Sequence, residues 1–174
     1  ALLLMLLCYN NYNDKERYLA ISDEAGRFYL DNGYMEHYWE YLFLEVNLLH
    51  TSNDQEKVIG LIRELARLEP FGNGNSKPQF ADRELALLRA SVVGRNQNVL
   101  KLSLMTAAGE HVSAVYFGDV EAWKQYYSEK YGQTEVDAAL RGRANAIRMS
   151  VIYYPEINVY QGMESVQLII RNYK

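Results

Sequence analysis

The polar side chains best suited to binding chemistry follow a turn signal near the middle of the chain. Arg95, Asn96 and Asn98 lie in the stretch GRNQN at residues 94–98, and Lys101 follows at an alternating position of the next apolar run. A basic side chain in such a place can neutralise a phosphate of a nucleic-acid backbone. A solvated turn uses the same residue types, so binding and plain surface are both open interpretations.

Three further residues extend this candidate binding set: Tyr116, Arg148 and Tyr160. Tyr160 lies between two strand-like runs, where an exposed aromatic ring can stack on a base. Arg148 has apolar neighbours on both sides and is predicted to point outward. Tyr116 and Phe117 are consecutive, so in a strand one ring faces the core and the other faces solvent. Each residue also has an ordinary surface or core alternative.

No arrangement typical of catalysis or metal binding accompanies these residues. The three histidines, His37, His50 and His111, are scattered and have no acidic partners at metal-ligand spacing. The single cysteine, Cys8, forms no intrachain disulfide, which fits a reducing compartment, and we expect a cytoplasmic protein. No apolar run approaches the roughly 20 residues of a membrane-spanning helix, so we expect no membrane partner.

Charge is distributed unevenly along the 174 residues, whose net charge is −4. Residues 1–80 carry 7 basic and 12 acidic side chains, whereas residues 81–174 carry 11 and 10. The first part is therefore a poor nucleic-acid surface, and the second can hold a local basic stripe. The 15 tyrosines suit cores, protein interfaces and base-stacking platforms alike, so their number does not separate these functions.

Residues 1–80 are predicted to form a mixed α/β segment that ends in a helix. Residues 17–34 favour two short strands around a turn at residues 23–26, with helix at either end as the alternative. Asn53 and Glu56 form a capping-box pattern, and apolar residues recur at helical spacing from Val58 onward. Glu69 precedes Pro70, which disfavours helix, so this helix is expected to end there.

Residues 81–174 alternate with period two in five runs, at residues 84–92, 100–105, 111–117, 147–153 and 165–173. A turn is predicted at residues 158–162. Asp119 is a suitable N-cap for a helix that ends at Gly132, and Trp123 and Tyr127 fall on its core-facing side. A further short helix is expected at residues 134–140. Three strands, a helix and two strands are the order of the OB-fold, a small closed barrel.

We therefore expect an α+β protein with two domains. Residues 81–174 form a five-stranded OB-fold-like β-barrel with the helix between strands 3 and 4, and residues 1–80 form the preceding mixed, largely helical segment. In OB-folds the outer face of strands 2 and 3 and the loops 1–2 and 4–5 bind oligonucleotides or oligosaccharides. Except for Arg148, which lies in strand 4, the candidate residues named above fall in these places.

Two segments resemble the barrel region of RecJ-type single-stranded-DNA-specific exonucleases. One is LEPFGNGN at residues 68–75, followed by Lys77, Pro78 and Phe80, at the junction between helix and barrel. The other is EIN at residues 156–158, Gly162, and ESVQLII at residues 164–170, in the last two strands. Matching residues between the two segments occur in order, and they are Val93, Gly94, Leu100, Lys101, Leu102, Phe117 and Gly118.

The resemblance extends over roughly residues 42–174, and it has two departures. Ser76 stands where the family usually has proline, and the run Tyr153-Tyr154-Pro155 is unusual. These exonucleases cut DNA with a metal-dependent core named for its Asp-His-His motif. The sequence holds neither that motif nor the family's Gly-Gly-His signature. The resemblance thus implies the C-terminal part of such an enzyme, and the initial Ala also suggests a fragment of a longer chain.

The resemblance also sets expectations about activity, cofactors and partners. This chain alone is expected to have no enzymatic activity and no cofactor, whereas the parent exonuclease would need Mg²⁺ or Mn²⁺ ions. The implied partners are single-stranded DNA, the nuclease core of the parent chain and a single-stranded-DNA-binding protein.

The junction itself is rich in turn-forming residues, which are Pro70, Phe71, Gly72, Asn73, Gly74 and Asn75. Glycine and asparagine adopt backbone conformations closed to most residues, and proline fixes the entry, so the junction is expected to set a rigid angle between helix and barrel. The alternative is a nest of backbone N–H groups that cradles a phosphate.

Two functions from different classes follow. The first is a single-stranded-DNA-binding module of a RecJ-type 5′–3′ exonuclease that acts in DNA repair and recombination. The alternative is a protein-interaction or scaffolding module that positions the nuclease or recruits a partner. The acidic first part and the abundant tyrosines favour this alternative.

Overall fold

The computed structural model describes residues 25–34, 55–67, 69–72 and 77–174. The chain forms two compact units, Ala1–Glu69 and Pro70–Lys174. The expected division into domains of residues 1–80 and 81–174 stays a prediction, because compactness alone does not show which part folds independently.

In the first unit, residues 25–31 are helical rather than extended. Ala25 and Tyr29, one helical turn apart, are both buried, and the backbone N–H of Tyr34 donates to the carbonyl of Tyr29 at 2.9 Å. The segment ends at Gly33, whose φ of 71° favours glycine. The predicted strand after residue 26 is therefore wrong, and helix is correct at this end. The other predicted strand lies outside the described residues.

Helix α1, Gln55–Ala66, agrees with the predicted helix before Pro70. Its buried side chains recur at helical spacing, and they are Val58, Ile59, Leu61, Ile62 and Leu65. On the exposed side, Arg67 pairs with Glu64 at 2.7 Å across one helical turn. The predicted N-cap, Asn53, lies outside the described residues.

Within its described residues, the second unit contains five strands and two helices. In chain order they are β1 Phe80–Val93, β2 Val99–Met105, β3 His111–Phe117, α2 Val120–Tyr131, α3 Gln133–Leu140, β4 Arg148–Tyr160 and β5 Met163–Tyr173. This confirms the prediction of five strands with a helix between strands 3 and 4. The N-cap prediction is also confirmed, since Asp119 Oδ1 accepts from the backbone N–H of Ala122 at 2.9 Å.

The five strands form one sheet that closes on itself in the order β1-β2-β3-β5-β4. All neighbouring strands are antiparallel except β3 and β5, which pair in parallel only from Ala114 to Tyr116. Strand β1 pairs with both β2 and β4, and its register shifts between Asp82 and Leu85. Glu84 lies inside this bulge with a φ of 57°. Such a bulge bends the strand, which helps the sheet to close.

Strands β4 and β5 are longer than predicted and form a hairpin. The turn was expected over residues 158–162, but β4 continues to Tyr160, which pairs with Met163. The two turn residues, Gln161 and Gly162, have φ values of 51° and 79°. Positive φ at both central positions is the geometry of a tight two-residue hairpin turn, which lets the strands remain paired up to the turn.

The interior of the closed sheet and its helix combines aliphatic side chains with four large aromatic ones. Trp123 and Tyr127 of α2 are fully buried, as their helical spacing predicts. Phe80 and Tyr153 stack with ring centroids 6.1 Å apart. The Tyr153 hydroxyl donates to Asp82 Oδ2 at 2.9 Å, and burial together with this carboxylate raises the pKa of Tyr153 above its usual value.

Five tyrosines pack against one another where α2 meets β3 and β5, and this set is called the tyrosine cluster: Tyr116, Tyr126, Tyr127, Tyr131 and Tyr173. Tyr173 contacts three of the others, with ring centroids 5.3 to 5.9 Å away. Burial, followed by the neighbouring Tyr116, raises the pKa of Tyr173 to about 12. Burial also raises the pKa of Tyr127.

Candidate nucleic-acid interface

A groove of about 320 Å³ crosses the outer face of the closed sheet. Its walls come from all five strands, and the lining residues are Arg89, Ser91, Lys101, Leu102, Ser103, Ser113, Ala114, Val115, Asn158, Ser165 and Gln167. Most of these side chains are short and polar, and two are cationic. The groove is therefore suited to an extended ligand that carries negative charge and accepts hydrogen bonds.

Strand alternation explains why the polar residues gather on this face. Ala90, Leu100, Leu102 and Leu104 are buried, so the residues between them point outward. The register then aligns these outward residues across strands. Ser91 pairs with Lys101, and Lys101 pairs with Val115, while Ser103 pairs with both Arg89 and Ser113. The groove therefore depends on the pairing register of the strands as well as on the sequence of each strand.

The groove opens where β3 and β5 separate. Their parallel pairing ends at Ala114 and Leu168, so Ser113 and Gln167 lie just beyond the last pair. The β4–β5 hairpin continues past this point, and Asn158 pairs with Ser165 within it. The hairpin therefore forms one wall of the groove, opposite the wall formed by β1 and β2.

The groove has a positive character. Arg89 and Lys101 are both exposed, and within the described residues neither forms an ion pair. Among the described residues that line the groove, none is acidic. In the part of the chain that the structure describes, this local positive charge contrasts with the net charge of −4 of the whole chain. This favours binding of an anion such as a phosphate backbone.

Arg95, Asn96 and Asn98 lie in the turn between β1 and β2, as predicted, and all three are exposed. The turn reverses the chain with two residues in the left-handed region, Gly94 at a φ of 89° and Gln97 at 52°. Because Val93 pairs with Val99, this turn stands at the Lys101 end of the groove. The turn residues lie beside the groove rather than in its lining.

Phe117 is the aromatic residue that the sequence-based interpretation undervalued. Its side chain is 65% exposed. Phe117 pairs with Val99, so it lies on the same face as Lys101, and such diagonal neighbours are about 7–8 Å apart. An exposed ring beside an exposed cation is the combination that binds a base and its phosphate.

Tyr116 occupies the other face of β3. It pairs with Leu100, is half-buried, and its ring packs edge-on against Tyr173 with centroids 5.3 Å apart. The ring also covers Gly118, where a side chain would overlap it. One ring of the pair at residues 116–117 is thus packed and the other exposed, as expected. A binding role for Tyr116 stays a prediction, and the geometry favours Phe117.

Tyr160 and Arg148 lie outside the groove lining. Tyr160 is 65% exposed at the end of β4, next to Val159 and Met163, which are exposed to 63% and 68%. These three residues are called the hairpin tip. Arg148 is exposed and points outward as predicted, but it pairs with Ala86 at the start of β4, and its carbonyl accepts from the Tyr131 hydroxyl at 3.1 Å. Binding by either residue stays a prediction.

The junction is described only in part, since Asn73, Gly74 and Asn75 lie outside the described residues. Pro70 is exposed and Phe71 is half-buried. Gly72 has no positive φ, and a side chain there would meet nothing within 4 Å, so the conformational freedom of glycine is not required at this position. After the junction, the Lys77 ammonium lies 3.7 Å from the centroid of the Tyr154 ring. The rigid angle and the phosphate nest stay predictions.

The described part of the chain contains no group of three or more acidic, histidine or cysteine residues that could hold a metal ion. His111, the one histidine within it, is exposed at the start of β3 and pairs with Met105. In the same residues, no helix is long and apolar enough to span a membrane.

Several groove residues were missed by sequence analysis, and these are Ser91, Ser103, Ser113, Ser165 and Gln167. Their positions alternate with buried residues, which is the signal that marks them as outward-facing. Arg89 lies beyond the bulge between Asp82 and Leu85 and a second register shift between Leu87 and Arg89. Counting by twos from the start of β1 therefore fails to place it.

Comparison with known proteins found a match to one protein-family model and a distant similarity to some solved structures. No curated protein sequence matched the chain. The SSB domain of a protein from Synechococcus sp. is 8% identical with a TM-score of 0.35, and the match covers 55% of this chain and 91% of that domain. Rim1, a mitochondrial single-stranded DNA binding protein from S. cerevisiae, is 11% identical with a TM-score of 0.33, over 56% and 92% of the two chains.

These structural likenesses are too distant to carry an argument, and the family rests on a sequence model. The model of the RecJ OB domain matches residues 53–172, which include all five strands up to Asn172. This range covers more than half of the chain. The match agrees with the two motifs at residues 68–80 and 156–170. The chain therefore belongs to the RecJ OB domain family.

Proposed function

We propose that this chain is the single-stranded-DNA-binding C-terminal module of a RecJ-type 5′–3′ single-stranded-DNA-specific exonuclease. The closed sheet is an OB-fold barrel in this proposal, and DNA lies along its outer groove. The observation that carries the proposal is the pair Arg89 and Lys101, next to the exposed ring of Phe117; within the described residues, neither cation forms an ion pair and no acidic residue lines the groove.

In this proposal, phosphates contact the two cations and a base stacks on Phe117. The serine hydroxyls and the side-chain amides of Asn158 and Gln167 hydrogen-bond to the sugar-phosphate backbone, which gives contacts that do not depend on base sequence. The nuclease core, its Mg²⁺ or Mn²⁺ ions and the role in DNA repair and recombination belong to the parent enzyme. The present chain holds the DNA while that core digests it.

Charge neutralisation in the groove gives the sharpest test. The double variant R89Q/K101Q should bind a fluorescent single-stranded oligonucleotide more weakly than wild type. Its plot of log affinity against log salt concentration should be shallower by about 1.4, since each phosphate contact to a single strand contributes about 0.7. Both side chains are exposed, so the free energy of unfolding should change by no more than about 0.5 kcal/mol.

A matched control removes two charges elsewhere. Lys124 and Lys130 are on α2, and neither lines the groove. The variant K124Q/K130Q lowers the net charge by the same amount, so it accounts for long-range electrostatics. The site assignment is wrong if both double variants lose the same affinity, or if R89Q/K101Q binds as wild type does.

A protein-interaction function is the second candidate, and the hairpin tip favours it. Val159, Tyr160 and Met163 place three exposed apolar side chains at the end of a projecting hairpin. Such a tip suits contact with the nuclease core or with a single-stranded-DNA-binding protein. The variant Y160S/M163S separates the candidates. If this variant binds DNA as wild type does, the tip is available to contact a protein. If it binds DNA more weakly, the tip contacts the bound DNA.

A further inference from the structure

A loop of basic residues adjoins the groove at the end remote from the β1–β2 turn. Arg141 and Arg143 flank Gly142 in the connection between α3 and β4, and both arginines are exposed. A Cβ atom at Gly142 would lie 3.4 Å from Cδ and 3.6 Å from Nε of Arg89. Arg89 lines the groove, so its side chain joins the groove to this loop.

The loop is held in place by its backbone, which leaves the guanidinium groups available. The backbone N–H groups of Arg141 and Arg143 donate to carbonyls in the last turn of α3, with Arg143 to Ala138 at 2.8 Å. Asn145 Nδ2 donates to the Leu87 carbonyl of β1 at 3.0 Å, which ties the loop to the sheet. A carboxylate oxygen of Glu135 accepts from the Ala146 N–H.

Neither arginine is needed for this anchoring. Within the described residues, Arg89, Arg141 and Arg143 form no ion pair and no side-chain hydrogen bond. Of the two carboxylates on α3, that of Glu135 accepts from the Ala146 N–H, and that of Asp137 accepts from the side-chain amide of Gln133. Within the described residues, Arg89 thus packs against a loop whose two flanking arginines form no ion pair, on a chain that is acidic as a whole. Guanidinium groups bind phosphate oxygens in a two-pronged geometry.

The arginine loop lies beyond the end of the groove that is farther from the β1–β2 turn. Val93 and Ser91 are the β1 residues near the β1–β2 turn, and they pair with Val99 and Lys101. Arg89 pairs with Ser103, farther from that turn. A strand that enters at Phe117 and passes Lys101 therefore reaches Arg89 next and Arg141 and Arg143 last.

We infer that Arg141 and Arg143, beside Arg89 at the end of the groove, form a second phosphate-binding site, which continues the single-stranded nucleic-acid path beyond the groove. The inference rests on the proposed DNA-binding function and adds to it the length and direction of the bound segment. A short oligonucleotide occupies only the groove, whereas a longer one also contacts the arginine loop.

Oligonucleotide length provides the test. Wild type and the variant R141Q/R143Q are compared with oligothymidylates of about 5 and about 15 nucleotides, within the range of site sizes of OB-folds. The variant should bind the long oligonucleotide more weakly, with a salt slope shallower by about 1.4, and should bind the short one as wild type does. The control variant K124Q/K130Q should show no effect that depends on length.

The outcomes separate the two proposals. If wild type binds and R141Q/R143Q retains full affinity for the long oligonucleotide, the arginine loop is solvated surface and the inference is wrong while DNA binding stands. The inference is also wrong if R141Q/R143Q weakens the short and long oligonucleotides equally. If wild type binds neither oligonucleotide at low salt, the proposed function itself fails, and the second site fails with it.

Discussion

The groove and the tyrosine cluster are both rich in side chains that can bind nucleic acid, but they use them differently. In the tyrosine cluster the rings pack on one another, and the Tyr127 hydroxyl donates to the Lys174 carbonyl at 3.3 Å. In the groove, Arg89 and Lys101 are exposed and unpaired within the described residues, and Phe117 is exposed beside them. Residue type alone therefore does not identify a binding surface, whereas the partners that a side chain already has do.

This comparison predicts that damage to the aromatic core mainly lowers stability. Trp123 is fully buried and packs on Tyr127 with ring centroids 5.0 Å apart. The variant W123A should lower the free energy of unfolding by about 3–5 kcal/mol, as measured by urea denaturation. Its DNA affinity should match wild type under conditions where circular dichroism shows it folded. Lost affinity in the folded variant would mean that the two regions are coupled.

Alkaline pH should lower stability through the tyrosine cluster. The pKa of Tyr173 is raised to about 12 by burial, whereas an unfolded tyrosine has a pKa of about 10. The folded state therefore favours the neutral form. Its contribution to stability is complete below pH 10 and is lost as the pH rises toward 12.

The Tyr173 contribution can be isolated by substitution. Phenylalanine has no ionisable group, so Y173F should lose less stability than wild type between pH 10 and pH 12. Urea denaturation at several pH values measures the difference. Parallel losses in the two proteins would show that Tyr173 does not carry this pH dependence.

Removal of the exposed ring at residue 117 should lower DNA affinity and leave stability nearly unchanged, the opposite of what is expected for W123A. The variant F117A should weaken single-stranded DNA binding by about 1–3 kcal/mol, the usual contribution of one stacked base. Its stability should change little, because the side chain is 65% exposed. Y116F serves as the control, since it keeps the packed ring of the neighbouring residue. Equal affinity of F117A and wild type would remove Phe117 from the site.

The smallest effect is expected at the β1–β2 turn. Arg95 lies beside the groove rather than in it, so R95Q should reduce the salt slope by at most about 0.7, the contribution of one phosphate contact. Binding titrations at three or more salt concentrations measure this slope. A larger effect for R95Q than for R89Q/K101Q would move the centre of the site from the groove to the turn.

Local signals predicted the parts of the fold that depend on neighbours in sequence. Asp119, Trp123 and Tyr127 were placed correctly because helix capping and helical spacing act within a few residues. For the residues after the predicted turn at 23–26, strand was preferred and helix was the alternative, since short apolar runs have no decisive period and tertiary packing chooses between the two states.

The groove could be predicted only in outline, because the pairing register of the strands brings its residues together from distant parts of the sequence. Lys101 was identified from its position after a turn, but Ser113 and Gln167 come together only where β3 and β5 separate. Arg89 depends on two register shifts in β1 that no sequence pattern announces. The choice of Phe117 over Tyr116 likewise follows from which of the two pairs with the outward-facing Val99.

Binding of the full chain to a fluorescent single-stranded oligonucleotide, at low and at moderate salt with a duplex of the same sequence as competitor, tests the central claim most directly. The proposed function predicts binding that weakens as salt increases and that the duplex does not displace efficiently. No binding at low salt, or equal affinity for single strands and duplex, would contradict it.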